Sequence, residues 1–279
     1  MIRFPILLVA ALVSLFVACS VGQAEIKVKK LTCEYRCNPL GIETESPRLS
    51  WVMDSAERGQ KQTGYRVLVA SSRKKLERNQ ADLWDSGKVE SDRSVNIEYD
   101  GKELTSHERA WWKVRVWDAD GNASSYSDPA WWEMGILDEN DWEAQWICAP
   151  ESQDPDTEPD PAPMFRKGFA LDKKVQSARA YVSGVGYHEI YVNGQRICDH
   201  VLDPAFTRYD RRVLYETYDV TSMLQKGENA AGVIVGNGWY NMHTRATWDF
   251  DKAQWRGRPT MLCQIRVELA DGSERTLTS

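Results

Sequence analysis

The chain has 279 residues, with 35 Lys+Arg against 41 Asp+Glu and a formal charge of −6. That balance excludes the basic face with which nucleic-acid binders neutralise phosphates, and 42% hydrophobic with 27% charged residues excludes a disordered chain. Twelve Trp against four His weigh against zinc or histidine-base chemistry, and the length predicts two domains at about 100–200 residues each.

The N-terminus reads as a targeting signal. Arg3 precedes an apolar run from Ile6 to Ala18, 13 residues long and too short to span a membrane as a helix. Two processing sites compete. Phe16-Val17-Ala18-Cys19 resembles a bacterial lipobox with Cys19 as the lipid attachment point, whereas Gly22-Gln23-Ala24 suits ordinary signal peptidase. Either site predicts an extracytoplasmic protein: a periplasmic or outer-membrane lipoprotein touching the membrane only through its anchor, or a secreted one.

Residues 25–137 read as one β domain. Arg48–Val52, Tyr65–Val69, Ser94–Tyr99 and Trp111–Trp117 are the clearest strands, with Val95, Ile97 and Tyr99 on one face of the third. In the last, Trp112, Val114 and Val116 face one way and Lys113 and Arg115 the other, so Trp112 is expected in the core and the two cations in water. Asp120-Gly121 turns the chain toward Ser127–Met134. Around seven short strands without a convincing helix predict a β-sandwich.

A joint at 138–164 follows. Between Cys148 and Pro163 it carries five Pro and five acidic residues without Lys or Arg, the composition of a stiff exposed loop. Residues 165–279 are again β. Ala178–Val182 and Glu189–Val192 are strands, Asn193-Gly194 is a hairpin turn, Val213–Tyr218 follows, and Thr221 is placed to cap a short helical turn. Ala231–Val235 reads as a strand buried on both faces. Met261–Leu269 alternates, with Cys263, Ile265, Val267 and Leu269 on its apolar side, and Thr276-Leu277-Thr278 only begins its partner after Asp271-Gly272. The expectation is an incomplete second domain with an unpaired edge.

Motifs for nucleophilic, phosphate or metal chemistry are missing. Cys19 aside, five cysteines remain, an odd number that defines no disulfide framework. Cys33 and Cys37 can pair locally or stay as free thiols. Cys198-Asp199-His200, read as a strand, sends neighbours to opposite faces, so no metal site is expected there. Asn237, Trp239 and Tyr240 follow a strand directly, and Trp248, Asp249, Asp251, Trp255 and Arg256 lie in the next loop. Aromatic faces stack on the C–H face of a sugar while amides, carboxylates and Arg reach hydroxyls, so these eight are the candidate carbohydrate-binding residues. The competing reading is that the Trp residues anchor the loop or a contact with another domain.

Asn38-Pro39-Leu40-Gly41-Ile42, Ser46-Pro47-Arg48-Leu49-Ser50-Trp51, Gln62 to Ser71, Leu83 to Val89 and Val114-Arg115-Val116-Trp117-Asp118 resemble the N-terminal portion of bacterial α-L-rhamnosidases of glycoside hydrolase family 78. So do Gly186 to Gly194, Tyr215 to Thr221 and Val235 to Tyr240. The resemblance implies an all-β chain: an immunoglobulin or fibronectin-III-like sandwich, then a jelly-roll, galactose-binding-like sandwich that is apparently truncated. It also implies an (α/α) catalytic barrel further along such proteins, which removes terminal α-L-rhamnose with inversion, and no catalytic residue carries over onto this chain. The implied partners are rhamnose-containing glycans and the C-terminal catalytic domains of the same protein, with no nucleic acid. No cofactor is called for, and calcium is left open. A free-standing carbohydrate-binding protein and a structural spacer remain as alternatives.

Overall fold

The computed structural model describes residues 26–150, 161–245 and 248–279. The signal segment with Cys19, and the centre of the Pro-rich loop, lie outside the described residues.

The first module is built from β1 (Lys27–Cys33), β2 (Arg48–Asp54), β3 (Gly64–Ala70), β4 (Trp84–Asp85), β5 (Ile97–Glu98), β6 (Arg109–Trp117) and β7 (Ala130–Glu133). They form two antiparallel sheets, β1-β2-β5 and β4-β3-β6-β7. The inner faces meet over Trp51, Trp112 and Trp132, each at most 2% exposed, with Leu49, Val67, Val69, Val114 and Val116 around them. Alternation in β6 places Trp112 there, as its sequence predicts. Three expectations fail. Lys113 is buried: a short helix α1 (Arg73–Glu77) packs Leu76 against Leu68 and Ala70 on the outer face, and the Lys113 ammonium lies 4.7 Å from the Tyr126 ring centroid. Helix α1 itself was not anticipated; Ser72 Oγ caps it by accepting from Lys75 N. Val95 is exposed because Asn96, at φ +55°, breaks the alternation before Ile97 and Tyr99 enter the core.

The second module has β8 (Ile147–Cys148), β9 (Met164–Leu171), β10 (Val175–Val185), β11 (Tyr187–Val192), β12 (Gln195–Arg196), β13 (Glu216–Asp219), β14 (Gly227–Gly236), β15 (Thr260–Leu269) and β16 (Glu274–Thr278). One sheet runs β13-β10-β15-β16, with β8 also on β15, and the other β12-β11-β14-β9. Ala180, Val182, Ile190, Val192, Val233, Val235, Ile265 and Val267 fill the space between them. The expected unpaired edge is not there: β16 pairs with β15 from Gln264↔Thr278 to Glu268↔Glu274. The strand at 231–235 buries Val233 and Val235 but leaves Ile234 half-exposed, so only one of its faces is core. Thr221 does not cap the following 3-10 turn. Its Oγ1 accepts from Ala178 N, tying the turn to β10.

The modules meet across a polar face. Glu133 of β7, 5% exposed, accepts from Arg179 Nε at 2.7 Å and pairs with Arg109 Nη2 at 2.6 Å. Ile136 N donates to Tyr215 Oη at 2.7 Å, and a β-carbon at Gly135 would collide with that hydroxyl. His107 Nδ1 and Tyr181 Oη are 2.7 Å apart. Gln264, read as an outward residue of β15, is 1% exposed; its Oε1 accepts from Glu143 N and its Nε2 donates to Asp141 O. The joint therefore lies against β15 and fills its outer face.

Candidate functional site

The segment after β14 is positioned by a close approach of two strand ends. A β-carbon at Gly186 would collide with the Gly236 carbonyl, and Gly238 has φ +50°, so this turn requires glycine at both positions. Asn241 closes the turn: its N donates to Asn237 O at 3.0 Å and its Nδ2 to Asn237 Oδ1 at 2.9 Å. Trp239 and Tyr240 leave the turn half-buried.

Four of the candidate residues join one aromatic cluster. Trp239 meets Phe250 edge-on at 5.5 Å and Trp248 at 6.2 Å, while Tyr240 and Trp255 are parallel at 6.4 Å. Three members were missed: Phe206, Tyr209 and Phe250. Phe206 stacks on Phe250 at 5.4 Å, and Tyr209 reaches both Tyr240 and Trp255 at 5.2 Å. Phe206 and Tyr209 come from the irregular segment before β13, more than 25 residues upstream and without strand or helix periodicity. Nothing local pointed to them.

The polar candidates are distributed differently. Asn237 is engaged with Asn241, Asp249 is paired with Arg245 at 2.6 Å, and Arg256 Nη2 lies 3.3 Å from His243 Nδ1. Asp251 Oδ1 is shielded from solvent without a hydrogen-bond partner. Most ring faces are occupied by other rings. Trp248, 67% exposed, and Phe206, 44% exposed, present the open aromatic surface. The geometry can stack one flat apolar face, with few free polar groups beside it.

A second concave region lies between the modules, a cleft of about 440 Å³ lined by His107, Arg109, Glu133, Arg179, Arg266 and Glu274, among others. Its carboxylates are committed: Glu133 to Arg109 and Arg179, Glu274 to Arg266 at 2.7 Å, and Glu268 to Ser177 at 2.8 Å. Burial pushes the Tyr181 phenol up and the His107 imidazole down. Inverting sugar hydrolysis needs a protonated acid and a base about 6.5–9.5 Å apart with water between them. Ion-paired acids of this kind do not supply it.

Cys198 and His200 do not lie in a strand. Strand β12 stops at Arg196, and the loop beyond it brings Cys198, His200 and Asp203 together, with one ligand atom from each within 4.8 Å of the others. No disulfide joins the five cysteines among the described residues, and Cys33 and Cys37 are free.

Two antiparallel sandwiches with a polar interface between them define a class of protein: a paired β module with no catalytic pair visible in its described residues. Comparison with known proteins identifies which. Residues 28–138 match the family described as Rha78A-like, N-terminal immunoglobulin domain, and residues 173–279 match the alpha-L-rhamnosidase N-terminal domain. An alpha-L-rhamnosidase of Formosa agariphila is 38% identical over 274 residues, covering 90% of this chain and 29% of that relative. The solved alpha-L-rhamnosidase of Dictyoglumus thermophilum is 39% identical with a TM-score of 0.80, covering 91% of this chain and 29% of the other. That of Streptomyces avermitilis, solved with L-rhamnose, has 27% identity and a TM-score of 0.81, covering 91% and 40%. The chain carries, in order, the two N-terminal, non-catalytic modules found in α-L-rhamnosidases, and it spans between about a quarter and two fifths of the length of the curated relatives it matches.

Proposed function

We propose that this chain serves an enzyme that hydrolyses terminal α-L-rhamnose from plant or bacterial glycans, acting as the rigid N-terminal platform on which the catalytic domains are mounted. The observation that carries the reading is the ordered pair of N-terminal rhamnosidase modules in a single chain at 38% identity to a named rhamnosidase. The buried Glu133–Arg179 contact supports rigidity, since a salt bridge enclosed on both sides holds two surfaces in one geometry. The partners proposed are the catalytic domains of the same protein and rhamnose-containing glycans. No cofactor is required for a platform role.

Release of rhamnose from an aryl α-L-rhamnoside tests the division of labour. The purified chain should give no turnover, while a polypeptide that extends into a catalytic barrel should be active. Turnover by the chain alone, surviving repurification, defeats the reading.

A carbohydrate-binding contribution is favoured by the open face of Trp248 beside Trp239. Binding should be weak, because one exposed subsite buries little area. Calorimetric titration with L-rhamnose and rhamnosylated oligosaccharides should give heats that vanish in a Trp239→Ala, Trp248→Ala double variant; equal heats from both proteins would assign the cluster to packing instead. For location, the apolar run ending at Cys19 supports a lipid-anchored extracytoplasmic protein. Mass spectrometry of the mature N-terminus should find a diacylated Cys19, and an unmodified start at Glu25 would establish soluble secretion.

A further inference from the structure

The loop from Ile197 to Asp203 is held at both ends by β11. Ile197 N donates to Ile190 O at 3.1 Å, and His188 N donates to Asp203 O at 2.7 Å. In between, Arg196 Nη2 donates to the His200 carbonyl, and Leu202 takes a left-handed conformation at φ +62°, which turns the chain back toward the strand. The result is a Cys-x-His-x-x-Asp spacing folded into one small cup. His200 Nδ1 lies 3.3 Å from Asp203 Oδ2, and the Cys198 sulfur lies within 4.8 Å of both ligand atoms. Tetrahedral zinc with N, O and S ligands at about 2.0–2.3 Å separates its ligand atoms by roughly 3.3–3.8 Å. Closing the cup to that size therefore takes about 1 Å of side-chain movement.

We propose that Cys198, His200 and Asp203 form a zinc-binding site, with water as the fourth ligand. A thiolate, an imidazole and a carboxylate together match zinc, whereas calcium takes six to eight oxygens. The surroundings fit the role. Tyr218 Oη is 3.4 Å from Asp203 Oδ2 and 3.4 Å from His188 Nε2, an outer shell that orients the carboxylate from β13 and β11. The Glu216 carboxyl on β13 is close enough to act electrostatically on both Asp203 and His200, with burial favouring its neutral form. Asp203 and Cys198 are half-buried while His200 is exposed, so the cup is open to solvent on one side and metal has a path in. Binding of zinc would pin the 197–203 loop to β11, next to the segment that carries Phe206 and Tyr209 into the aromatic cluster.

Cobalt titration of the full chain under reducing conditions tests the proposal. One equivalent should bind, with the visible bands of four-coordinate cobalt and a thiolate-to-cobalt charge-transfer band in the near ultraviolet, and zinc should displace it. Cys198→Ser should remove the charge-transfer band, and His200→Ala should weaken binding by roughly tenfold or more. His200 is exposed, so its loss does not threaten the fold. Cys37→Ser and Cys148→Ser, at exposed thiols, should leave the band intact. Absence of the band in the parent protein, or its persistence in Cys198→Ser, overturns the assignment.

Discussion

Each module covers outward residues of a central strand, but the covers come from different places. In the first, β6 is covered by its own neighbourhood: α1 brings Leu76 over Leu68 and Ala70, and Tyr126 lies over Lys113 and Arg115. In the second, the outer residues of β10 are Arg179, Tyr181 and Ser183, at most 8% exposed, and much of their cover comes from the other module and the joint. The first sandwich completes itself with local sequence, whereas the second presents a polar face that needs Glu133, His107 and Trp142 to finish it. A module of the second kind gains its neighbour's geometry together with its own stability.

The sharpest way to break this contrast is in the core of the self-contained module. Trp112 is fully buried between the sheets, and Trp112→Ala should cost roughly 3–5 kcal/mol in urea unfolding of the full chain. A loss near zero would mean that the first module does not hold itself together. Next comes the shared face. Glu133→Ala strands Arg179, which retains Asp219 at 3.0 Å and the Ala178 carbonyl at 2.9 Å. Those remaining partners reduce the penalty of an abandoned buried charge to about 2–3 kcal/mol. Two separated unfolding transitions should appear where the parent shows one. An unchanged single transition would remove Glu133 as the coupling residue.

What was legible in the sequence follows the same division. Strand alternation placed Trp112, Val114 and Val116 in the core, and Cys263, Ile265 and Val267 likewise, because a period of two is a property of the strand itself. Which outward residues meet solvent was not legible, since the cover comes from elsewhere: Lys113 from α1 and Tyr126, Gln264 from the joint at Asp141–Ala144. The candidate carbohydrate cluster was half legible. Trp239, Tyr240, Trp248 and Trp255 are near one another in sequence, but Phe206 and Tyr209 arrive through a loop with no period to read. Cys198 and His200 were read as strand residues, but β12 stops at Arg196, four residues short of His200, and the loop that brings Asp203 beside them has no period to read.

Lys113 gives a smaller test of the same division. Burial pulls its ammonium down from the usual lysine range, the Glu77 carboxylate partly compensates, and the ammonium sits over the Tyr126 ring. Loss of the cation–ring contact and of the packed stem should make Lys113→Ala cost about 1 kcal/mol, against no more than about 0.5 for Lys74→Ala on exposed helix surface. Equal values would show that α1 does not cover this face. Lys113→Met should recover most of the loss, because it keeps the stem and removes the charge.

The smallest effect concerns pH at the junction. His107 faces Tyr181 from the second module, with Arg266 on one side and Asp141, Glu133 and Glu274 on the other. Burial, reinforced by Arg266, outweighs the three carboxylates and holds the imidazole below its ordinary value of 6.5. The unfolded chain therefore binds the proton more readily than the folded one. Stability from this group is fully present above about pH 6.5 and is lost progressively as the pH falls below it. Unfolding measured from pH 7.5 down to 5 should show the parent losing more stability than His107→Gln, which keeps a hydrogen-bonding side chain opposite Tyr181 but cannot titrate. The difference between the two profiles should also follow the transition that Glu133→Ala separates, because the imidazole belongs to the shared face rather than to either core. Parallel profiles would mean that His107 keeps its proton equilibrium on folding, and that the junction is wetter than its packing indicates.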